Sequence, residues 1–189
     1  MAVEHRGKNG TRAVEVVIAV MGVTGAGAST FIKQISGQDV VIGKRLESCV
    51  NLTLLETPGF IDTNRSATTI LGDISAFRSS VYARGIRLLA IIYLNPICNP
   101  RMEGTSLRSL GMLRKLVGDS ALSNVILATT QWSRVSPEEG ADREPGLRNM
   151  FLKHLLDNGA VMKRLADDFA SAMALITPLI DKKRVVLDI

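Results

Sequence analysis

Val14–Met21, VEVVIAVM, holds a single charge, and the residues after it, GVTGAGAST, place glycines at 22, 25 and 27. A nearly all-apolar run of this length reads as a strand buried on both faces, the habit of a central strand in a parallel sheet. Glycines directly after such a strand, and directly before a helix, let successive N–H groups turn inward around an anion at the helix N-terminus. The spacing follows G-x-x-x-x-G-K-[ST], with Gly22, Gly27 and Ser29 in register and Ala28 where the lysine belongs. Taken alone, the glycines are equally compatible with a bare strand-to-helix turn.

Downstream, strand-length apolar runs alternate with helical periods, the pattern of a parallel sheet covered by helices. A helix is expected from about Ser29 to Ser36, ended by Gly37, and a second strand over Leu52–Glu56. Ile70, Ile74, Phe77 and Val81 share one helical face up to Gly85, and Leu88–Leu94 is a third buried strand. Leu107, Leu110, Leu113 and Leu116 form the next helical stripe, with Ser106 as its N-cap and Gly118 past its end. Asn124–Thr130 reads as the fourth strand and Ser133–Glu144 as a surface loop. Pro145 suits the first turn of a helix closed by Asn158-Gly159. Ala160–Met162 suits an edge strand. Phe169, Met173 and Ile176 face the core from a last helix that Pro178 limits.

Composition bounds the function classes. At 189 residues, 46% hydrophobic and 22% charged, the chain suits one globular domain, here expected over residues 13–182 with polar tails at 1–12 and 183–189. No apolar run approaches the ~20 residues that span a bilayer. The opening MAVEHRGKNGTR lacks the apolar stretch of a secretory signal. Cys49 and Cys98 have no framework spacing, so reduced thiols and a cytoplasmic location are expected. The net charge of +5 is scattered, its one run (Lys182, Lys183, Arg184) reads as a solvated tail, and aromatics at 4% are too few for a stacking platform. No nucleic-acid partner is expected. His5 and His154 are isolated, no Cys/His spacing suggests zinc, and Ser29 and Ser66 lack a base for nucleophilic catalysis.

LLETPGF separates a bare turn from a phosphate site, because it puts an acid at a strand end followed by T-P-G. It resembles the D-x-x-G motif of GTPases, and TTQW after NVILA lies where GTPases carry [NT]-K-x-D. With IAVMGVTGAGAST, LESC, ETPGFIDTNRS and IIYLNPICNPRMEGTSLRSL, the chain from Val14 to about Ile180 is similar to fungal G-domain proteins related to septins and to the immunity-associated nucleotide-binding GTPases. The resemblance implies a P-loop NTPase fold of the G-domain kind: a mostly parallel sheet with helices on both faces and a shortened switch I and second-strand region, for which Asp39–Gly43 is the one candidate strand. It also implies a guanine nucleotide with Mg2+. Nucleotide contacts would fall on Gly22, Thr24, Gly25, Ala26, Gly27, Ala28, Ser29, Thr30, Gly59, Thr130, Gln131 and Trp132, with Ser29 and Glu56 toward the metal. Trp132 itself reads as a packing residue beside the base pocket.

The departures from the family lie in its chemistry. Ala28 removes a charge-assisted contact worth about 1.5–3 kcal/mol. Glu56 replaces the usual aspartate and pushes its carboxylate toward the metal's water shell. Ser133 stands where an aspartate would grip the guanine ring, which lowers base selectivity, and Val50 stands where a threonine would close on magnesium. Asp62 and Arg65 fall in the second switch segment as mobile charges, with no catalytic residue assigned. Four altered positions fit a naturally degenerate site better than a single engineered change. The expected function is a GTP-binding-type domain with weakened binding and little or no hydrolysis, with a protein partner or second copy on its switch face. The alternatives are a nucleotide-independent pseudo-GTPase scaffold, or an enzyme repurposed in the old nucleotide cleft.

Overall fold

A computed structural model describes residues 2–3, 14–36, 50–57, 88–99, 102 and 104–181, with isolated helical positions at Thr69, Gly72, Ser75, Ala76, Ser79 and Ala83. Five parallel strands are β2 (Val14–Gly22), β3 (Val50–Glu56), β4 (Leu88–Pro96), β5 (Val125–Thr130) and β6 (Val161–Arg164). A two-residue strand, β1 (Ala2–Val3), adds antiparallel to β3 through Ala2↔Leu55 and Val3↔Leu54. The order is β1-β3-β2-β4-β5-β6. Ala2 and Val3 thus pair with the sheet from within the stretch expected as a polar tail.

Side-chain alternation along the strands sorts two cores, one on each face of the sheet. Val16, Ile18, Val20, Ala90, Ile92, Leu94, Ile126 and Ala128 face helices α1 (Ala28–Ile35) and α5 (Phe169–Asp181). Val17, Ala19, Met21, Ile91, Tyr93, Val125 and Leu127 face α2 (Thr105–Val117) and the segment that carries Leu147, Leu152 and Leu155. Because β2, β4 and β5 are covered on both faces, their sequences read as continuous apolar runs instead of an alternation. No helix among the described residues is long and apolar enough to cross a membrane.

Several sequence expectations are corrected. The N-cap of α2 is Gly104, with φ 47°, and Ser106 is instead a buried residue inside the helix. Leu107 is largely exposed, while Met112 joins Leu110, Leu113 and Leu116 in the core. The stretch expected as a loop over Ser133–Glu144 contains most of α3 (Pro137–Gly146). A capping box starts it: Ser136 Oγ accepts from Glu139 N–H, and the Glu139 carboxylate accepts from Ser136 N–H, both at 3.2 Å. Pro137 occupies the first turn, and Pro145 lies near the end of α3, not at a helix start. Leu147–Phe151 then widens into a π turn, marked by Leu152 N–H to Leu147 O at 2.9 Å, before α4 (Lys153–Asp157). Pro178 does not end α5, which runs on to Asp181. Pro178 cannot donate to the carbonyl one turn back, but burial of Leu175, Ile176 and Leu179 keeps the helix on the sheet. Phe169 stays partly exposed and Ala172 takes the core position. The Asp39–Gly43 strand candidate and the face Ile70, Ile74, Phe77, Val81 lie outside the described residues.

Tyr93 is fully buried, and its hydroxyl sits near Ser109 without completing a hydrogen bond. Burial pushes its phenol up to about 12, with Ser109 pulling weakly the other way. A raised folded-state pKa means stability that is complete below the ordinary value of 10.0 and is lost as pH rises toward 12. Between pH 9 and pH 11 the protein should therefore lose about 1 kcal/mol that Tyr93→Phe does not lose. At neutral pH, Tyr93→Phe should be neutral or slightly stabilising, because it removes an unsatisfied hydroxyl. Urea melts of both proteins at the two pH values check this.

Candidate functional site

The carboxyl ends of β2, β3, β4 and β5 meet at one edge, where a parallel sheet places its ligand crevice. Gly22 closes β2 there. A Cβ on Gly22 would lie 2.8 Å from Leu94 O and 3.1 Å from Ala26 Cβ, so backbone contact excludes any side chain. Gly22→Ala should cost about 2–3 kcal/mol, the range of an overpacked core position. Gly25→Ala meets open space, carries only the penalty of its φ of 81°, and should cost less. Denaturant midpoints of the two variants rank them.

The loop after Gly22 is tightened by Ala26 N–H donating to Val23 O at 2.9 Å, and it enters α1 through Gly27 at φ 100°. Gly27 offers no side-chain cap, and no acid lies in the first turn of α1. The first-turn amides of Ala28, Ser29 and Thr30 therefore have no intrahelical acceptor and face an anion's position with the positive end of the helix. Ala28, half-buried, packs its methyl at the margin of the core beneath α1. Thr24 and Thr30 are exposed.

Two neighbours complete the loop. Thr57 N–H donates to Val20 O at 3.1 Å, which extends the β2–β3 ladder and sets Glu56 beside the loop. Ser29 Oγ donates to Glu56 Oε1 at 2.9 Å. This pair of hard oxygen donors fits an ion that takes most of its ligands from phosphate and water, as magnesium does. Among the described residues no cluster of three or more His, Cys, Asp or Glu forms a protein-only metal cage. From β5, Thr130 Oγ1 donates to Ala26 O at 2.8 Å, and the Gln131 side-chain amide donates to Gly25 O. Gln131 has φ 59°, the one non-glycine in the left-handed region among the described residues.

The structure thus assembles Gly22, Gly25, Ala26, Gly27, Ala28, Ser29, Glu56, Thr130 and Gln131. Trp132 turns elsewhere: its Nε1 donates to Thr129 O at 3.1 Å, its ring abuts Gly140, and the Arg164 guanidinium stacks 4.3 Å from its centroid. Of its two expected roles, nucleotide contact and packing, these contacts are packing ones. Glu144 holds Arg164 in that position. Gly59, Asp62 and Arg65, and the Val50 side chain, lie outside the described residues. Sequence reasoning missed Cys98, whose thiol donates to Gln131 Oε1 at 2.9 Å and so orients the amide that holds Gly25. Arg143 in turn donates to the carbonyls of Ile97 and Cys98. No motif announces these residues, since they follow from the packing of α3 against the end of β4.

No family model matches the chain, and no curated protein is similar to it in sequence. Solved structures are similar in fold. Toc33 from Arabidopsis thaliana, in complex with Mg2+ and GMPPNP, superposes with a TM-score of 0.69 over 94% of this chain and 89% of that one, at 12% identity. The chain has the fold of a G domain. A structure of the chloroplast translocon components atToc33 and psToc159, for which dimerization is important for GTPase activity, matches with a TM-score of 0.63 at 12% identity, covering 94% and 87%. A probable GTP-binding protein, engB, matches with a TM-score of 0.55 at 13% identity, covering 89% of this chain and 100% of that one. In this chain the loop from Gly22 to Ser29 lies between the first long strand and the first helix.

Proposed function

We propose that this G domain binds a magnesium–guanine nucleotide weakly and hydrolyses it little or not at all. The observation that carries the reading is the loop Gly22–Ser29. Its glycines at 25 and 27 hold left-handed conformations, and Thr130 and Gln131 tie its carbonyls to β5, yet the cation position is Ala28. Ser29 and Glu56 would hold magnesium, which when bound supplies positive charge to the outer phosphates. The amides of the first turn of α1 do the remaining work of orienting the phosphates. The kinship with fungal relatives of septins and immunity-associated GTPases, a cytoplasmic location, and a protein partner or second copy on the switch face belong to the same reading. Titration with fluorescent GDP, GTP and ATP analogues, with and without magnesium, tests it. Saturable binding that magnesium strengthens and Gly27→Val removes is expected, and no binding of any nucleotide overturns it.

A second reading, a pseudo-GTPase scaffold that works without nucleotide, is favoured by Ala28 at the cation position. That reading takes precedence if the titration is flat and the protein is folded.

A further inference from the structure

Ser133 and Asp167 meet at the ends of two neighbouring strands, β5 and β6. Ser133 follows β5 through Gln131, whose left-handed backbone redirects the chain while its side chain holds Gly25. Asp167 follows β6 through Leu165, whose N–H donates to Thr129 O at 2.8 Å and so fixes this segment against the end of β5. The Ser133 hydroxyl donates to Asp167 Oδ2 at 2.9 Å. The neighbouring acid is engaged elsewhere, since Asp168 Oδ1 accepts from Ser171 N–H at 2.7 Å and caps the start of α5. Asp167 Oδ1 has no partner among the described residues.

We infer that Asp167 is the base-reading carboxylate of this site, supplying across space the acid that position 133 lacks, and that it selects guanine over adenine. The inference rests on the nucleotide reading above. Guanine presents two adjacent N–H donors on one edge, and a carboxylate has two oxygens to accept them. The matching edge of adenine presents a ring nitrogen lone pair, which repels a carboxylate. A serine alone could accept at most one of guanine's donors well. Ser133 instead donates to Oδ2, which orients the carboxylate and leaves Oδ1 and the second lone pair of Oδ2 available. A loss of base selectivity, expected from Ser133 by itself, is thereby reversed.

Displacement of a fluorescent GDP analogue by GDP, ADP and xanthosine diphosphate tests the assignment, with the wild-type chain and Asp167→Asn. Asp167 is exposed and the substitution nearly isosteric, so the fold is retained. The wild type should prefer GDP over ADP by about tenfold or more. Asp167→Asn should lose about tenfold or more for GDP and gain for xanthosine diphosphate, because a carboxamide N–H meets the xanthine 2-oxo group while its oxygen still accepts the ring N–H. Equal binding of GDP and ADP by the wild type, or an unchanged GDP preference in Asp167→Asn, overturns the assignment and leaves nucleotide binding standing. No binding of any diphosphate overturns both.

Discussion

Ala28→Lys is expected to tighten triphosphate binding ten- to a hundredfold. Ala28 is the first residue of α1, between the left-handed Gly27 and Ser29. A lysine there starts at the margin of the core, so its aliphatic stem can lie along apolar surface while the ammonium reaches toward the outer phosphates. One charge-assisted contact of about 1.5–3 kcal/mol converts to that range, since about 1.4 kcal/mol is a factor of ten. The gain should be smaller for a diphosphate, which lacks the outermost group, and it should shrink with added salt. Parallel titrations with GTP and GDP analogues measure it. A folded Ala28→Lys protein with unchanged affinity would show that the loop does not cradle phosphates.

Turnover of labelled GTP by the purified wild-type chain, under single-turnover conditions with magnesium at neutral pH, is expected to stay at the buffer rate. Phosphoryl transfer depends almost entirely on positioning and on compensating charge at the transferring group. Loss of one preorganised donor to such charge costs about 10²–10³ in rate, and Ala28 supplies no cation at all. Val50 is not part of this deficit: it pairs with Val14 at the end of β3 opposite Glu56, which corrects its reading as a position that closes on magnesium. Glu56, one methylene longer than an aspartate, engages Ser29 directly at 2.9 Å and so would crowd the metal's water shell. Ala28→Lys by itself should therefore improve binding more than rate. Phosphate release well above buffer, abolished by Ser29→Ala, would mean that a different group has taken over the cation's role.

The order of elements and the glycine turn after β2 were legible in the sequence because both depend on local chemistry. A strand covered on both faces must be apolar throughout, so β2, β4 and β5 show themselves as runs. The left-handed turns at 25 and 27 need glycine, and the close approach at 22 leaves room for nothing larger. The capping box at Ser136 and Glu139 was also written locally, but a polar, acidic stretch hid it as a loop. The limits of α5 were misread because Pro178 is a local signal overruled by the burial of Leu175, Ile176 and Leu179. What only the tertiary structure decided is which side chains meet. Thr130 and Gln131 reach Ala26 and Gly25 across more than a hundred residues of chain. The contacts of Cys98 with Gln131 and of Asp167 with Ser133 join loops that follow different strands, and the parallel sheet brings those loops together at one edge. A motif records the residues that one turn of backbone holds in place. Asp167 stands outside every motif because its position is set by the pairing of β5 with β6.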